Sequence, residues 1–142
     1  MRKKLNEILL IDDDQVNNFI TEKLLIKLKI AETITIKSNG REGLNFINQK
    51  CISDSPYCPQ FIIFDYNMPV MDGLEFLKEI NRINFRKDYQ VVLLLLAVQI
   101  PPHLLKEFVT LGISDYTTKP LDEETVLSVY SKYWNKEGIW IG

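Results

Sequence analysis

Three acidic residues and one lysine stand where a chain could use them together. Asp12 and Asp13 follow the apolar run Ile8-Leu9-Leu10-Ile11, and Asp65 follows Phe61-Ile62-Ile63-Phe64. Lys119 follows Asp115-Tyr116-Thr117-Thr118 and precedes Pro120. Taken alone, Asp65 is a metal ligand, a nucleophile or a helix cap. Together the four charges admit a narrower chemistry. Three carboxylates in one cleft repel one another and raise each other's pKa. A hard divalent cation relieves that repulsion, and carboxylate oxygens with water suit Mg2+. An exposed carboxylate beside a cation and an ammonium is equipped to accept a phosphoryl group, a reaction that needs mainly placement and charge neutralisation.

The elements that must position these residues are short apolar strands alternating with helices. Ile8–Ile11 reads as a first buried strand, and Asp14 caps the helix after it. In that helix Val16, Phe19, Ile20, Leu24 and Leu28 recur at helical spacing, which predicts the face turned to the core. Thr33–Ile36 is a β-branched second strand, and Asn39-Gly40 turns the chain into a helix with Leu44, Phe46 and Ile47. Residues 51–60 form a loop, Phe61–Phe64 the third strand, and Asp72-Gly73 starts a third helix carrying Leu74, Leu77 and Ile80. Val91–Leu96 is a wholly apolar fourth strand. Pro101-Pro102 opens a fourth helix, which Gly112 ends. Asp115–Thr118 is a short fifth strand. Asp122 caps a last helix with Val126, Leu127, Tyr130 and Trp134 on its apolar face. Five strand–helix alternations predict a doubly wound α/β fold: a five-stranded parallel sheet with helices on both faces, a three-layer sandwich. Strands one, three and five of such a sheet can bring their carboxyl ends to one cleft, where open α/β sheets place their ligands.

Composition bounds the rest. The chain has 142 residues, 46% hydrophobic and 25% charged, and a net charge of −2. That suits one ordinary domain and recommends neither nucleic acid nor an anionic membrane as partner. No apolar run approaches a membrane span, and the start Met1-Arg2-Lys3-Lys4 lacks the apolar stretch of a signal peptide. A cytoplasmic protein is expected, so Cys51 and Cys58, both in the 51–60 loop, are read as reduced thiols in preference to a disulfide. His103, the only histidine, has no local partner and is expected at the surface. The apolar tail Ile139-Trp140-Ile141 is expected to fold back on the domain.

The run Asp65-Tyr66-Asn67-Met68-Pro69-Val70-Met71-Asp72-Gly73, with Ile8–Asp13 before it and Gly112 through Lys119-Pro120 after it, resembles the response-regulator receiver domains of bacterial two-component signalling along nearly the whole chain. The resemblance implies a flavodoxin-like sheet of order 2-1-3-4-5. It implies that Asp65 is the phosphoacceptor, supplied by a sensor histidine kinase or phosphotransfer protein, and that Asp12 and Asp13 are the Mg2+-binding pair. Asn67 would lend the metal a backbone carbonyl, and Lys119, joined to Pro120 by a bond that is usually cis, would contact the phosphoryl group. Tyr116 would be the switch aromatic. Residues 1–142 would be a single receiver domain, its core about 6–136, with no output domain, acting through protein contacts and not as an enzyme beyond its own phosphorylation chemistry.

One position departs from that pattern. The family ends its fourth strand in Thr or Ser, and here Leu96 is read at that place. A leucine cannot hydrogen-bond a phosphoryl oxygen, at a cost of roughly 1.5–3 kcal/mol for a charge-assisted bond. A shift of one residue finds no hydroxyl either, since there is no Ser or Thr between Val91 and Ile100. The alternative reading is therefore a degenerate receiver that binds a protein partner regardless of phosphate. A haloacid-dehalogenase-type phosphatase also uses a strand-end Asp, but wants a second Asp two residues on. Asn67 stands there and cannot exchange a proton at neutral pH.

Overall fold

The computed structural model describes residues 4–52, 55, 57–83 and 89–142. The signal-peptide question at residues 1–3 and part of the 51–60 loop lie outside the described residues. The elements run β1 (Leu5–Ile11), α1 (Gln15–Leu28), β2 (Ala31–Lys37), α2 (Gly40–Lys50), β3 (Phe61–Asp65), α3 (Gly73–Ile83), β4 (Val92–Ala97), α4 (Pro102–Thr110), β5 (Asp115–Thr118) and α5 (Glu123–Tyr133). All four strand pairings are parallel, and the sheet order is β2-β1-β3-β4-β5.

The three central strands are almost continuously apolar because both faces of the sheet are covered. On one face Leu9, Ile11, Ile62, Phe64, Leu93 and Leu95 pack against Leu44 and Ile47 of α2, Phe76, Leu77 and Ile80 of α3, and Phe108 of α4. On the other, Leu10, Ile63, Leu94 and Leu96 meet Leu25 of α1 and Val126, Val129 and Tyr130 of α5. The helices start where local chemistry dictates. Asp14, Asn39 and Asp122 each accept a hydrogen bond from a backbone N–H in the first turn of α1, α2 and α5, and Asp72 does the same from Glu75 N–H at α3.

Helix α1 turns a different face inward from the one its apolar spacing suggests. Val16, Phe19 and Ile20 are 69%, 57% and 48% exposed, and the buried residues are Asn17, Asn18, Thr21 and Leu25. The two asparagines are drawn in because Asp12 at the end of β1 accepts a hydrogen bond from each.

The two cysteines are also corrected. Cys51, the C-cap of α2, and Cys58, buried before β3, form a disulfide and are not free thiols. The loop returns so tightly from α2 to β3 that their Cα atoms lie 4.5 Å apart, within the bridging range.

The C-terminal residues fold back as a hairpin. Ile141 N–H donates to Tyr133 O, the Trp140 ring stacks on Tyr133, and it meets Trp134 edge-on. Asn135 Oδ1 ties the turn by accepting from the N–H groups of Glu137 and Ile139.

Candidate functional site

The register of the sheet brings the charged residues level. Ile11 pairs with Phe64, so Asp12 emerges beside Asp65; Asp65 itself pairs with Leu96, and Leu96 with Thr117. Beyond β5 the chain continues to Lys119, whose N–H donates to Ala97 O, and the Lys119–Pro120 bond is cis. Asp12, Asp13 and Asp65 each present a carboxylate oxygen within 4.8 Å of the others. Asp12 and Asp65 are buried, whereas Asp13 faces solvent. Lys119 Nζ lies 2.7 Å from Asp12 Oδ2 and 3.1 Å from Asp65 Oδ2, with little of the three side chains exposed.

The electrostatics follow from this crowding. Burial raises the pKa of Asp65, and the neighbouring Asp12 charge raises it further; Lys119 and the Tyr66 N–H, which donates to Oδ1, oppose both. For Lys119, burial alone would lower the pKa, but its bonds to Asp12 and Asp65 outweigh it and the net shift is upward. Three carboxylates gathered beside one lysine, which pairs with two of them, leave a negative surplus. That donor set, all oxygen and partly open at Asp13, fits a hard divalent cation such as Mg2+.

The loop after β3 packs closely against the backbone of Asp65 and Tyr66. Gly73 N–H donates to Tyr66 O, and Gly73 is packed so tightly that a Cβ there would stand 2.4 Å from Asp65 O. Val70 takes a left-handed backbone, φ 71°, which a β-branched residue rarely adopts. Asn67 lies in this loop two residues past Asp65 and is exposed. His103 is exposed on α4, away from the four charges in the sequence of elements.

The end of β4 differs from the sequence expectation in detail. Leu96 shares its face with Asp65 but is buried among Leu94, Leu121 and Val126. It is Ala97, with Leu95, that shares a groove with Tyr116, Val98, Ile100 and Leu105. The position facing the aromatic is therefore Ala97, because successive strand residues point to opposite faces. Tyr116 is half exposed at the mouth of this groove, which encloses about 300 Å3.

Two site residues escape a reading based on apolar spacing. Asn17 Nδ2 donates to Asp12 Oδ2 at 2.9 Å, and Asn18 Nδ2 donates to Asp12 O at 2.8 Å. The available signal was a pair of poor helix formers in a first turn, four residues after an acid pair.

The sheet is doubly wound and parallel, with an acidic pocket and one lysine at its carboxyl end. The model for the response regulator receiver domain matches residues 8–131. A two-component response regulator of rice, Oryza sativa subsp. japonica, is 25% identical over 94% of this chain and 98% of its own length. Among solved structures, a two-component response regulator from Cytophaga hutchinsonii superposes with a TM-score of 0.80 at 24% identity, covering 92% of this chain and 97% of that one. The receiver domain of the Arabidopsis thaliana histidine kinase CKI1, solved with Mg2+ and BeF3−, gives 0.75 at 18% identity over 90% and 91%. The chain belongs to the response regulator receiver domain family.

Proposed function

We propose that this receiver domain accepts a phosphoryl group on Asp65, with Mg2+ held by Asp12, Asp13 and Asp65 and by the backbone carbonyl of Asn67. The observation that carries this is the convergence of three carboxylates and Lys119 at one end of the sheet. Asp65 Oδ2 attacks the phosphorus of a phosphohistidine or small acyl phosphate, and the donor leaves with the P–N or P–O electron pair. Lys119, already 3.1 Å from Asp65, supplies a positive charge to the transferring oxygens. The bound cation would add charge neutralisation at the same oxygens. The donor is a sensor histidine kinase or phosphotransfer protein, and the exposed Val16, Phe19 and Ile20 beside the acid pair suit an apolar contact with it. The signal then leaves through protein contacts in the cytoplasm. No helix among the described residues is long and apolar enough to cross a membrane.

Incubation with Mg2+ and acetyl phosphate, followed by intact mass, tests this reading. A gain of one phosphoryl group that disappears in Asp65→Asn is expected; no gain in the folded, Mg2+-loaded chain overturns it.

Ala97 favours a second reading in which phosphorylation and surface response are only weakly coupled. Neither β4 residue in the Tyr116 groove, Leu95 or Ala97, bears a hydroxyl; the hydroxyl-bearing residues that line it are Thr117 and Thr118 of β5. Under the first reading, Ala97→Thr lengthens the lifetime of the phosphorylated form. Leu96→Thr instead places its hydroxyl at the small cavity that Leu96 lines with Asp12, Asn17, Asn18 and Thr21, away from the Tyr116 groove, and is expected to leave that lifetime unchanged.

A further inference from the structure

Asp12 is gripped more closely than any other carboxylate in the site. Its Oδ1 accepts from the Asp14 N–H at 3.0 Å, and its Oδ2 from Asn17 Nδ2 at 2.9 Å, beside the Lys119 ion pair at 2.7 Å. Its carbonyl accepts from Asn18 Nδ2, and its N–H donates to Lys37 O. Asn17 and Asn18 are 9% and 7% exposed, on a helix face where apolar side chains would otherwise pack. A buried carboxamide costs free energy unless it is hydrogen-bonded, and asparagine is a poor helix former. Here each amide's bond falls on Asp12, and only that of Asn17 reaches the carboxylate. Thr21 lines the same small cavity with its hydroxyl buried and without a hydrogen-bond partner.

We infer that Asn17 is a positioning residue that holds the Asp12 carboxylate in the orientation from which it binds a divalent cation. This rests on the metal-assisted reading above. The ammonium of Lys119 is shared between two carboxylates and is free to follow the charge as a cation or phosphoryl group arrives. The Asn17 amide is neutral, anchored on α1 and directed at one oxygen, so it keeps Asp12 in place while Lys119 changes partners. Groups that orient a metal-binding carboxylate through a hydrogen bond typically account for 10–100-fold in metal affinity.

The test is Mn2+ binding to the whole chain, read by electron paramagnetic resonance of the free ion, with thermal unfolding recorded in the absence of metal. Asn17→Ala is expected to weaken Mn2+ binding by roughly 10-fold while the metal-free Tm stays near that of the unaltered chain. Thr21→Val, which removes a hydroxyl from the same cavity without touching Asp12, is expected to bind Mn2+ as tightly as the unaltered chain. If Asn17→Ala does not fold, Asn17→Leu keeps the volume, lacks the donor and carries the same expectation. Equal affinity in the Asn17 variants overturns the inference, and so does an equal loss in Thr21→Val. Failure of the unaltered chain to bind Mn2+ overturns the metal reading itself, and the inference with it.

Discussion

In the proposed reaction Asp65 attacks as its carboxylate, yet its surroundings favour the proton. Burial and the Asp12 charge hold its pKa above the ordinary aspartate value in the metal-free chain. A group whose folded pKa is raised contributes stability that is present below its unfolded pKa and lost as pH rises through the folded one. Ionised Asp65 therefore costs stability at neutral pH. Asp65→Asn is expected to raise the metal-free Tm at pH 7 by a few degrees, and to flatten the loss of stability on going from pH 4 to 7; thermal melts across that range check it. Val70 makes a second prediction at this scale. Its left-handed backbone suits glycine or asparagine, so Val70→Gly is expected to stabilise the fold by roughly 0.5–1 kcal/mol, measured by denaturant unfolding. The acidic residues were legible because each follows a short apolar run that reads as a buried strand, and Lys119 because it stands before Pro120 after a short strand. Asn17 was not, because a hydrogen bond to a carboxylate leaves no trace in apolar spacing. The disulfide escaped for a related reason: two cysteines seven residues apart do not reveal how tightly their loop closes.

Among the elements, the loop from β3 to α3 is tightly held at Gly73. Gly73 sits against Asp65 O, where a methyl group would clash with backbone and not with a flexible side chain. Gly73→Ala is expected to cost about 2 kcal/mol or more and to slow phosphorylation by acetyl phosphate, because relief of the clash moves the acceptor. A Tm unchanged within a degree would show that the loop yields cheaply. Helix α1 shows where element-scale reading stops. Its length, cap and end were legible from Asp14 and the run to Leu28, but its rotation was not. Val16, Phe19 and Ile20 fit the helical template as well as the true inner face does, and the acid pair decided between them. The tail was legible as an apolar stretch without a place of its own. Its packing through Trp140 onto Tyr133 and Trp134 depends on contacts outside the tail, which spacing does not encode.

At the scale of the molecule, the parallel sheet is what makes a site from residues more than a hundred positions apart. With order β2-β1-β3-β4-β5, β1 and β3 are neighbours, and the carboxyl ends of β1, β3 and β5 open on one side. The parallel, doubly wound sheet followed from five alternations of strand and helix joined by right-handed crossovers, whereas the strand order followed from the resemblance to the receiver family. A cation that binds the folded pocket and not the unfolded chain adds stability by mass action, about 2.7 kcal/mol at 100 times its Kd. Saturating Mg2+ is expected to raise Tm by roughly 5–10 °C, with a much smaller change in Asp12→Ala. The most direct measurement labels the acceptor itself: the chain is treated with acetyl phosphate and Mg2+, reduced with borohydride to convert an aspartyl phosphate to homoserine, and sequenced by peptide mass spectrometry. Homoserine at position 65 and nowhere else is the predicted result. Homoserine at another aspartate, or none from a folded chain that binds Mg2+, would contradict it.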